Sequence, residues 1–124
     1  MFLYEVWNWV GDTSILPIKW FEFLKRVDAK AGTDTFAHVS KEYLLRTYVT
    51  QPLFDPDGFF FITTRSEVAA CVLVWPVNEQ ECELKELAIS PAHEAKGVGY
   101  SLVALALNYA RQRSFRWVSY AVSR

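Results

Sequence analysis

The chain has 124 residues, of which 52% are hydrophobic and 22% are charged, and its formal net charge is −1. This length and composition predict a single globular domain over residues 1–124, and the near-neutral charge gives no reason to expect a nucleic-acid partner. No apolar run approaches the roughly 20 residues of a membrane helix, and the N-terminus lacks the basic start and apolar core of a signal peptide. We therefore expect a cytoplasmic protein without a membrane partner.

The first half of the chain predicts one strand followed by two helices. Residues 2–10 mix aromatic and β-branched side chains, which is typical of a strand. Pro17 suits the first turn of the first helix. The inner face of that helix is predicted to consist of apolar residues at helical spacing: Trp20, Phe21, Leu24 and Val27. Ser40 is a suitable N-cap for the second helix, and Pro52 ends it. The inner face predicted for the second helix consists of Tyr43, Leu44, Thr47 and Tyr48.

The second half of the chain predicts an antiparallel meander, a helix and a last strand. Two almost continuously apolar runs, 59–64 and 68–75, are expected to be strands buried on both faces. Residues 81–89 alternate polar and apolar side chains and form the third strand of the meander. A helical pattern over 97–113 follows. The strand at 115–122 is then predicted to lie parallel to 81–89 through a right-handed crossover.

The two cysteines, Cys71 and Cys82, both fall in predicted strands. In a simple hairpin centred on residues 76–80, Cys71 lies opposite Glu86 and Cys82 lies opposite Trp75, so the thiols do not face each other. We therefore expect buried free thiols, and two cysteines do not make a metal site. No metal ion is predicted.

The segment after the third meander strand has the features of an anion site. The strand ends at Pro91, a polar loop with Gly97 and Gly99 follows, and the last helix then begins. The amides of a first helical turn have no intrahelical partner, and the helix dipole adds a partial positive charge there. Glycines let a phosphate approach this backbone closely. Because glycines at a helix start are also common in ordinary turns, the two glycines alone leave both interpretations open.

The wider pattern resembles the acyl-CoA-binding motif of the GNAT superfamily of N-acyltransferases. The matching residues are Leu87-x-Ile89-x-Pro91, then Glu94-x-x-Gly97-x-Gly99, then Leu102. The family usually has Gln or Arg at the place of Glu94, and Lys96 matches a basic residue that commonly precedes the first glycine.

The predicted order of elements, β-α-α-β-β-β-α-β, also resembles the mixed-sheet, α/β/α-layered α+β fold of the GNAT superfamily up to its fifth strand. That family normally continues with one more helix and a two-stranded hairpin, whereas this sequence stops at Arg124. The resemblance therefore predicts a fold that is truncated after the fifth strand.

The resemblance implies that acetyl-CoA, or another acyl-CoA, is the cosubstrate. Its pantetheine arm would pair with the backbone of the fourth strand, and its pyrophosphate would be held mainly by backbone N–H groups. The residues implied for the arm are Leu87, Ala88 and Ile89. The residues implied for the pyrophosphate are Glu94, Ala95, Lys96, Gly97, Val98, Gly99 and Tyr100. The implied reaction is direct transfer of an acyl group to a primary amine of a small molecule or a peptide.

The resemblance also suggests Glu83 as the catalytic base. It lies six residues before Ile89, where histone-acetylating members of the family carry a catalytic Glu in the fourth strand. Strict strand alternation places Glu81 on the same face as Glu83 and places Glu86 on the other face. Glu81 and Glu83 are explained equally well as polar residues of a solvent-facing strand, so both interpretations stay open.

Two further functions remain open. One is a catalytically silent acyl-CoA-binding or protein-interaction domain, which Glu94 and the absent C-terminal elements favour. The other is a structural module without a ligand. Independently of function, an uncovered and aromatic strand at 115–122 predicts a homodimer or a partner chain that completes the sheet.

Overall fold

The backbone forms a five-stranded sheet with helices on both faces. The computed structural model describes residues 3–9, 16–30, 39–65 and 67–120. The strands are β1 (Glu5–Asn8), β2 (Phe59–Thr64), β3 (Glu67–Pro76), β4 (Glu81–Ile89) and β5 (Trp117–Tyr120). The helices are α1 (Leu16–Lys30), α2 (Lys41–Leu44) and α3 (Val98–Gln112). A π-helical turn at Leu45–Val49 continues α2, and 3₁₀ turns occupy Pro56–Gly58 and Pro91–Lys96.

The strands lie in the order β1-β2-β3-β4-β5. Neighbouring strands are antiparallel except β4 and β5, which are parallel. Both the predicted meander and the parallel last strand are thus confirmed, and β2 and most of β3 are buried as their apolar runs predict. The predicted ends of the first strand, Phe2 and Val10, and of the last strand, Ala121 and Val122, lie outside the described residues.

Two apolar cores lie on opposite faces of the sheet, which gives the α/β/α layering. On one side, which we call the α1 face, α1 and α2 pack against the sheet. The buried aromatic residues of this core are Trp9, Trp20, Phe23, Phe59 and Phe61. On the other side, the α3 face, the sheet packs against the buried side of α3: Val98, Leu102, Ala106, Tyr109 and Ala110. No helix within the described ranges is both long and apolar enough to cross a bilayer.

The second predicted helix is correct in position but has a narrower inner face than expected. Ser40 caps α2 as predicted, because its hydroxyl accepts a hydrogen bond of 3.1 Å from the Tyr43 N–H. The Tyr43 side chain, however, is 51% exposed. Leu44 is buried and Tyr48, in the π-helical turn, packs against the same core. The contact with this core therefore runs through Leu44 and Tyr48, together with Leu45 and Val49 of the π-helical turn.

Both cysteines are buried and free, but the predicted register of the β3–β4 hairpin is wrong. Cys82 pairs with Pro76, and Cys71 pairs with Ala88. The turn lies one position further along the chain than predicted, since Trp75 pairs with Glu83 instead of Cys82. An irregularity between Cys71 and Leu73 shifts the pairing once more.

Candidate functional site

The chain passes from β4 to α3 through a short turn that ends on a glycine. Pro91–Lys96 form a 3₁₀ turn, and Gly97 follows with φ of 76° and ψ of 8°. This left-handed conformation is easily reached only by glycine. Gly97 therefore sets the angle at which the chain enters α3.

The N-terminus of α3 carries no side-chain cap. The Ser101 N–H donates to the Gly97 carbonyl at 3.1 Å, which is the first turn of helical hydrogen bonding. The amides of residues 98–100 precede this bond and have no partner inside the helix. With the positive end of the helix dipole, they form a site suited to an anion.

The two glycines of the loop serve different purposes. A β carbon at Gly97 would have no atom of the described residues within 4 Å, so these residues leave the space over this backbone open. A β carbon at Gly99 would lie 2.6 Å from Cδ1 of Ile89. Gly99 therefore allows the end of the Ile89 side chain to pack closely against α3, whereas Gly97 leaves room beside the first-turn amides.

The surface around this loop is accessible, and the loop is held in place from the N-terminal side. Residues 94–97 are exposed, and the Tyr100 side chain is 84% exposed. The hydroxyl of Tyr4 and Nδ1 of His93 lie 2.8 Å apart, with their rings edge to face. The 3₁₀ turn is thus tied to the segment that leads into β1.

Next to the loop, β4 has an open edge. Its pairing with β5 extends from Glu81, opposite Trp117, to Leu84, opposite Tyr120. Beyond Leu84, no described residue pairs with β4 on that side. The Ser90 N–H donates to a β3 carbonyl at 2.8 Å. Since the backbone groups of successive strand residues point to opposite sides, the N–H and C=O of residue 89 point to the open edge.

A β-bulge precedes this open edge. Leu73 pairs with Lys85, but Cys71 pairs with Ala88, so β4 contains one more residue than β3 over this interval. Glu86 lies in the bulge with φ of 53°, which is unusual for a residue other than glycine. The bulge bends β4 at the point where its pairing with β5 has stopped.

Comparison with known families identifies the group to which this fold belongs. The model of the Acetyltransferase (GNAT) family matches residues 18–123. The chain belongs to the GNAT family. A search of curated proteins gives no significant match.

Solved structures share the GNAT fold at low sequence identity. Ard1 from Thermoplasma volcanium has a TM-score of 0.66 and 13% identity, over 90% of this chain and 66% of its own. N-acetylglutamate synthase from Neisseria gonorrhoeae, complexed with coenzyme A and N-acetyl-glutamate, has a TM-score of 0.64 and 16% identity, over 91% and 24%. The aminoglycoside N-acetyltransferase AAC(6′)-Iy in complex with CoA has a TM-score of 0.70 and 11% identity, over 99% and 79%. This chain thus spans 66% and 24% of the first two relatives.

The residues of the predicted GNAT motif lie together around the open edge and the loop. Leu87 and Ile89 pack against the α3 face with their side chains. Ala88 lies between them and pairs with Cys71 of β3. Glu94 and Lys96 are exposed on the 3₁₀ turn that leads to Gly97. Among the described residues, no group of three or more His, Cys, Asp or Glu side chains could hold a metal ion.

Glu83 lies on the α1 face, because it stands opposite Trp75, which packs against that core. Its carboxylate forms an ion pair of 3.2 Å with the Lys85 ammonium. Glu81 has a different partner, since its carboxylate accepts a hydrogen bond of 3.5 Å from the Ser119 hydroxyl. The two carboxylates therefore have separate polar contacts.

Glu86 lies on the same face as Glu83, which corrects the prediction from strand alternation. The bulge shifts the alternation by one residue. As a result, the Glu86 carboxylate accepts a hydrogen bond of 2.9 Å from the Tyr48 hydroxyl, and Tyr48 packs on the α1 face. Burial, followed by the negative charge of Glu86, raises the pKa of Tyr48, so this hydroxyl stays protonated and donates.

The sequence analysis missed the pairing of Tyr48 with Glu86. One local signal for the bulge exists, because Leu84 and Leu87 both contribute to the α3 face although they are three residues apart. In a regular strand such residues point to opposite faces. Two consecutive polar residues, Lys85 and Glu86, separate them. No local signal indicates the contact with Tyr48, which lies 38 residues earlier.

Proposed function

We propose that this chain is an acyl-CoA-dependent N-acyltransferase. The observation that best supports this proposal is the open space over Gly97 beside the open edge of β4. Bare first-turn amides suit a diphosphate, and an unpaired strand edge suits an extended arm that contains amide groups. Acyl-CoA combines these two features in one molecule. The residues proposed to bind the acyl donor are 87–89 on the strand and 94–100 on the loop and helix start.

The charges near the loop are compatible with a diphosphate. Glu94 adds a carboxylate to the 3₁₀ turn, but it is exposed, so its side chain has room to point into solvent. Lys96, directly before Gly97, adds a positive charge to the same turn. Most of the binding energy is expected to come from backbone N–H groups, which do not depend on the identity of residue 94.

The proposed reaction joins a neutral primary amine to the thioester carbonyl. The amine must first lose a proton, because an ammonium has no lone pair, and an unperturbed alkylammonium titrates near pH 10.4. We assign this proton transfer to Glu83 on the α1 face. The amine nitrogen then attacks the carbonyl carbon and the C–N bond forms. The C–S bond breaks, and the leaving thiolate takes up the proton that the attacking nitrogen loses.

A backbone N–H on the open edge is the proposed donor to the oxygen of the tetrahedral intermediate. By alternation from Ser90, whose N–H donates to β3, residues 87 and 89 direct their amides to that edge, and the amide of residue 87, which lies nearer Glu83 along β4, is the one proposed. Such a donor is already oriented before the reaction, which is the general requirement for stabilising a developing oxyanion. The proposed acceptor is a primary amine of a small molecule or a peptide.

A second function, a catalytically silent acyl-CoA-binding domain, is favoured by one specific contact. The Lys85 ammonium already forms an ion pair of 3.2 Å with the Glu83 carboxylate. An acceptor ammonium would have to displace or share this ion pair before Glu83 could accept its proton. A silent domain would keep the open edge of β4 (residues 87–89) and the loop and helix start at residues 94–100, which together we call the donor groove. It would not need a base.

Two measurements test these proposals in sequence. Calorimetric titration of acetyl-CoA tests donor binding, and absence of heat at millimolar ligand would contradict both functions. A thiol-release assay over a panel of primary amines then separates them. In that assay we expect Glu83→Gln to lose most activity and Glu81→Gln, on the same face of β4, to retain it. Equal activity of the two variants across pH would show that Glu83 is not the base.

We also propose that a second copy of the chain associates through β5. In the described part of the protein, β5 pairs only with β4. Its side chains are exposed on both faces of the sheet, with Trp117 at 62% and Tyr120 at 53%. An aromatic strand with an open edge is prone to pair with another strand. Size-exclusion chromatography with light scattering tests this proposal, and a stable monomer at high concentration would contradict it.

A further inference from the structure

A tyrosine from the helical layer reaches the bulge of β4. The hydroxyl of Tyr48 donates to Oε1 of Glu86 at 2.9 Å. The Tyr48 ring stands edge to face against Trp75, with 5.4 Å between ring centroids, and lies 6.4 Å from Trp20. These ring contacts fix the position of the hydroxyl, so the hydrogen bond connects two rigid parts of the molecule.

Glu86 has an unusual backbone conformation and is held by two hydrogen bonds. Its backbone has φ of 53°, a conformation that non-glycine residues adopt only when the surroundings impose it. The Cys71 thiol lies 3.3 Å from the Glu86 carbonyl oxygen and donates to it. The Tyr48 hydroxyl holds the carboxylate. Contacts from β3 and from the helical layer thus stabilise the conformation that the bulge requires.

The bulge lies immediately before the edge proposed to carry the acyl donor. Residues 87–89 follow Glu86 directly, and the Ile89 side chain reaches the position where a β carbon of Gly99 would be. A change in the Glu86 backbone would therefore move the open edge, and through Ile89 it would also move the start of α3. Both parts of the donor groove depend on the same bulge.

We propose that Tyr48 and Glu86 are positioning residues for the acyl donor, which act by holding the bulge and thereby the open edge of β4. This inference rests on the proposed function. It assigns Glu86 a role that needs a hydrogen-bond acceptor but no negative charge. It also links the π-helical turn on the α1 face with the open edge of β4.

Three variants and one control test the proposal. Tyr48→Phe removes only the hydroxyl and keeps the ring packing. Glu86→Ala removes the acceptor, whereas Glu86→Gln keeps an oxygen that can accept from Tyr48 and loses the charge. Tyr43→Phe removes a hydroxyl from an exposed ring on the preceding turn and serves as the matched control. Each variant is measured for CoA affinity by calorimetry and for amide hydrogen exchange over residues 86–90.

We expect Tyr48→Phe and Glu86→Ala each to weaken CoA binding by up to about tenfold, because each removes the hydrogen bond that holds the bulge. Glu86→Gln is expected to bind within about twofold of the wild type. The double variant Tyr48→Phe/Glu86→Ala should be no weaker than the single variants, since both changes break the same contact. In the transfer assay, the KM for acyl-CoA should rise in Tyr48→Phe and Glu86→Ala while the KM for the amine stays unchanged.

The outcomes separate this inference from the proposed function. A wild type that binds no CoA would overturn the proposed function and the role in donor positioning. Amide hydrogen exchange tests separately whether Tyr48 holds the bulge. We expect exchange over residues 86–90 to accelerate in Tyr48→Phe and not in Tyr43→Phe. Equal exchange and equal affinity in those two variants would overturn the inference. A loss of kcat in Glu86→Gln would also overturn it, because the charge would then be required.

Discussion

Substitution of Gly97 separates the backbone role of this residue from its proposed role in donor binding. In Gly97→Ala, an L-residue must adopt φ of 76°, which destabilises the fold by about 1–2 kcal/mol. Within the described part of the chain, no atom lies within 4 Å of the new β carbon, so no steric clash adds to this cost. For a chain of this length, the melting temperature should fall by roughly 4–8 °C. Gly97→Asn should recover most of this loss, because Asn tolerates the left-handed conformation.

The two Gly97 variants should behave alike in CoA binding although they differ in stability. Each places a side chain in the open space where a diphosphate would approach the first-turn amides. We expect the dissociation constant for CoA, measured by calorimetry, to rise at least about tenfold, or 1.4 kcal/mol, in both. Ala92→Asn, on an exposed residue of the same 3₁₀ turn, provides the control and should bind normally. Wild-type affinity in Gly97→Asn would refute the idea that an anion approaches this backbone.

Three further predictions concern packing and pH. Gly99→Ala brings a β carbon to 2.6 Å from Cδ1 of Ile89 and should destabilise the protein by about 1 kcal/mol in urea unfolding; adding Ile89→Val, which lacks that atom, should restore stability. Tyr109→Phe removes the hydrogen bond to the Asp55 carboxylate and should cost about 1 kcal/mol in the same assay. Burial, and for each phenol a neighbouring carboxylate, raises the pKa values of Tyr48 and Tyr109. Because the folded state keeps these protons longer than the unfolded chain, the free energy of unfolding should fall as pH rises above about 10, and less steeply in Tyr109→Phe. An unchanged slope would contradict this assignment.

Periodicity predicted the order of elements and the layering because these depend on local patterns. The continuous apolar runs of β2 and β3 identify buried strands, and the spacing of apolar residues in α3 identifies its buried face. The loop at Gly97 was predictable for the same reason, since a left-handed turn before a helix favours glycine. Features fixed by one segment of the chain are readable from that segment.

The bulge in β4 could not be placed by counting alternate residues. It adds one residue to a strand whose polar and apolar side chains otherwise alternate, and so it moves Glu86 to the face of Glu83. The same irregularity accounts for part of the error in the partner of Cys71. The contact with Tyr48 depends on the packing of α2 and the π-helical turn against the sheet, which is a tertiary property.

The bulge also has a consequence for substitutions in β4. Within β4, the carboxylates that face the helical layer lie only a few residues before the backbone edge and the glycine loop. Substitutions at positions 83 and 85 can therefore alter the chemistry of one face of the sheet without changing the backbone N–H groups at the start of α3. Under the proposed function, such substitutions would change the acceptor that is modified and would leave the binding of the acyl donor unchanged.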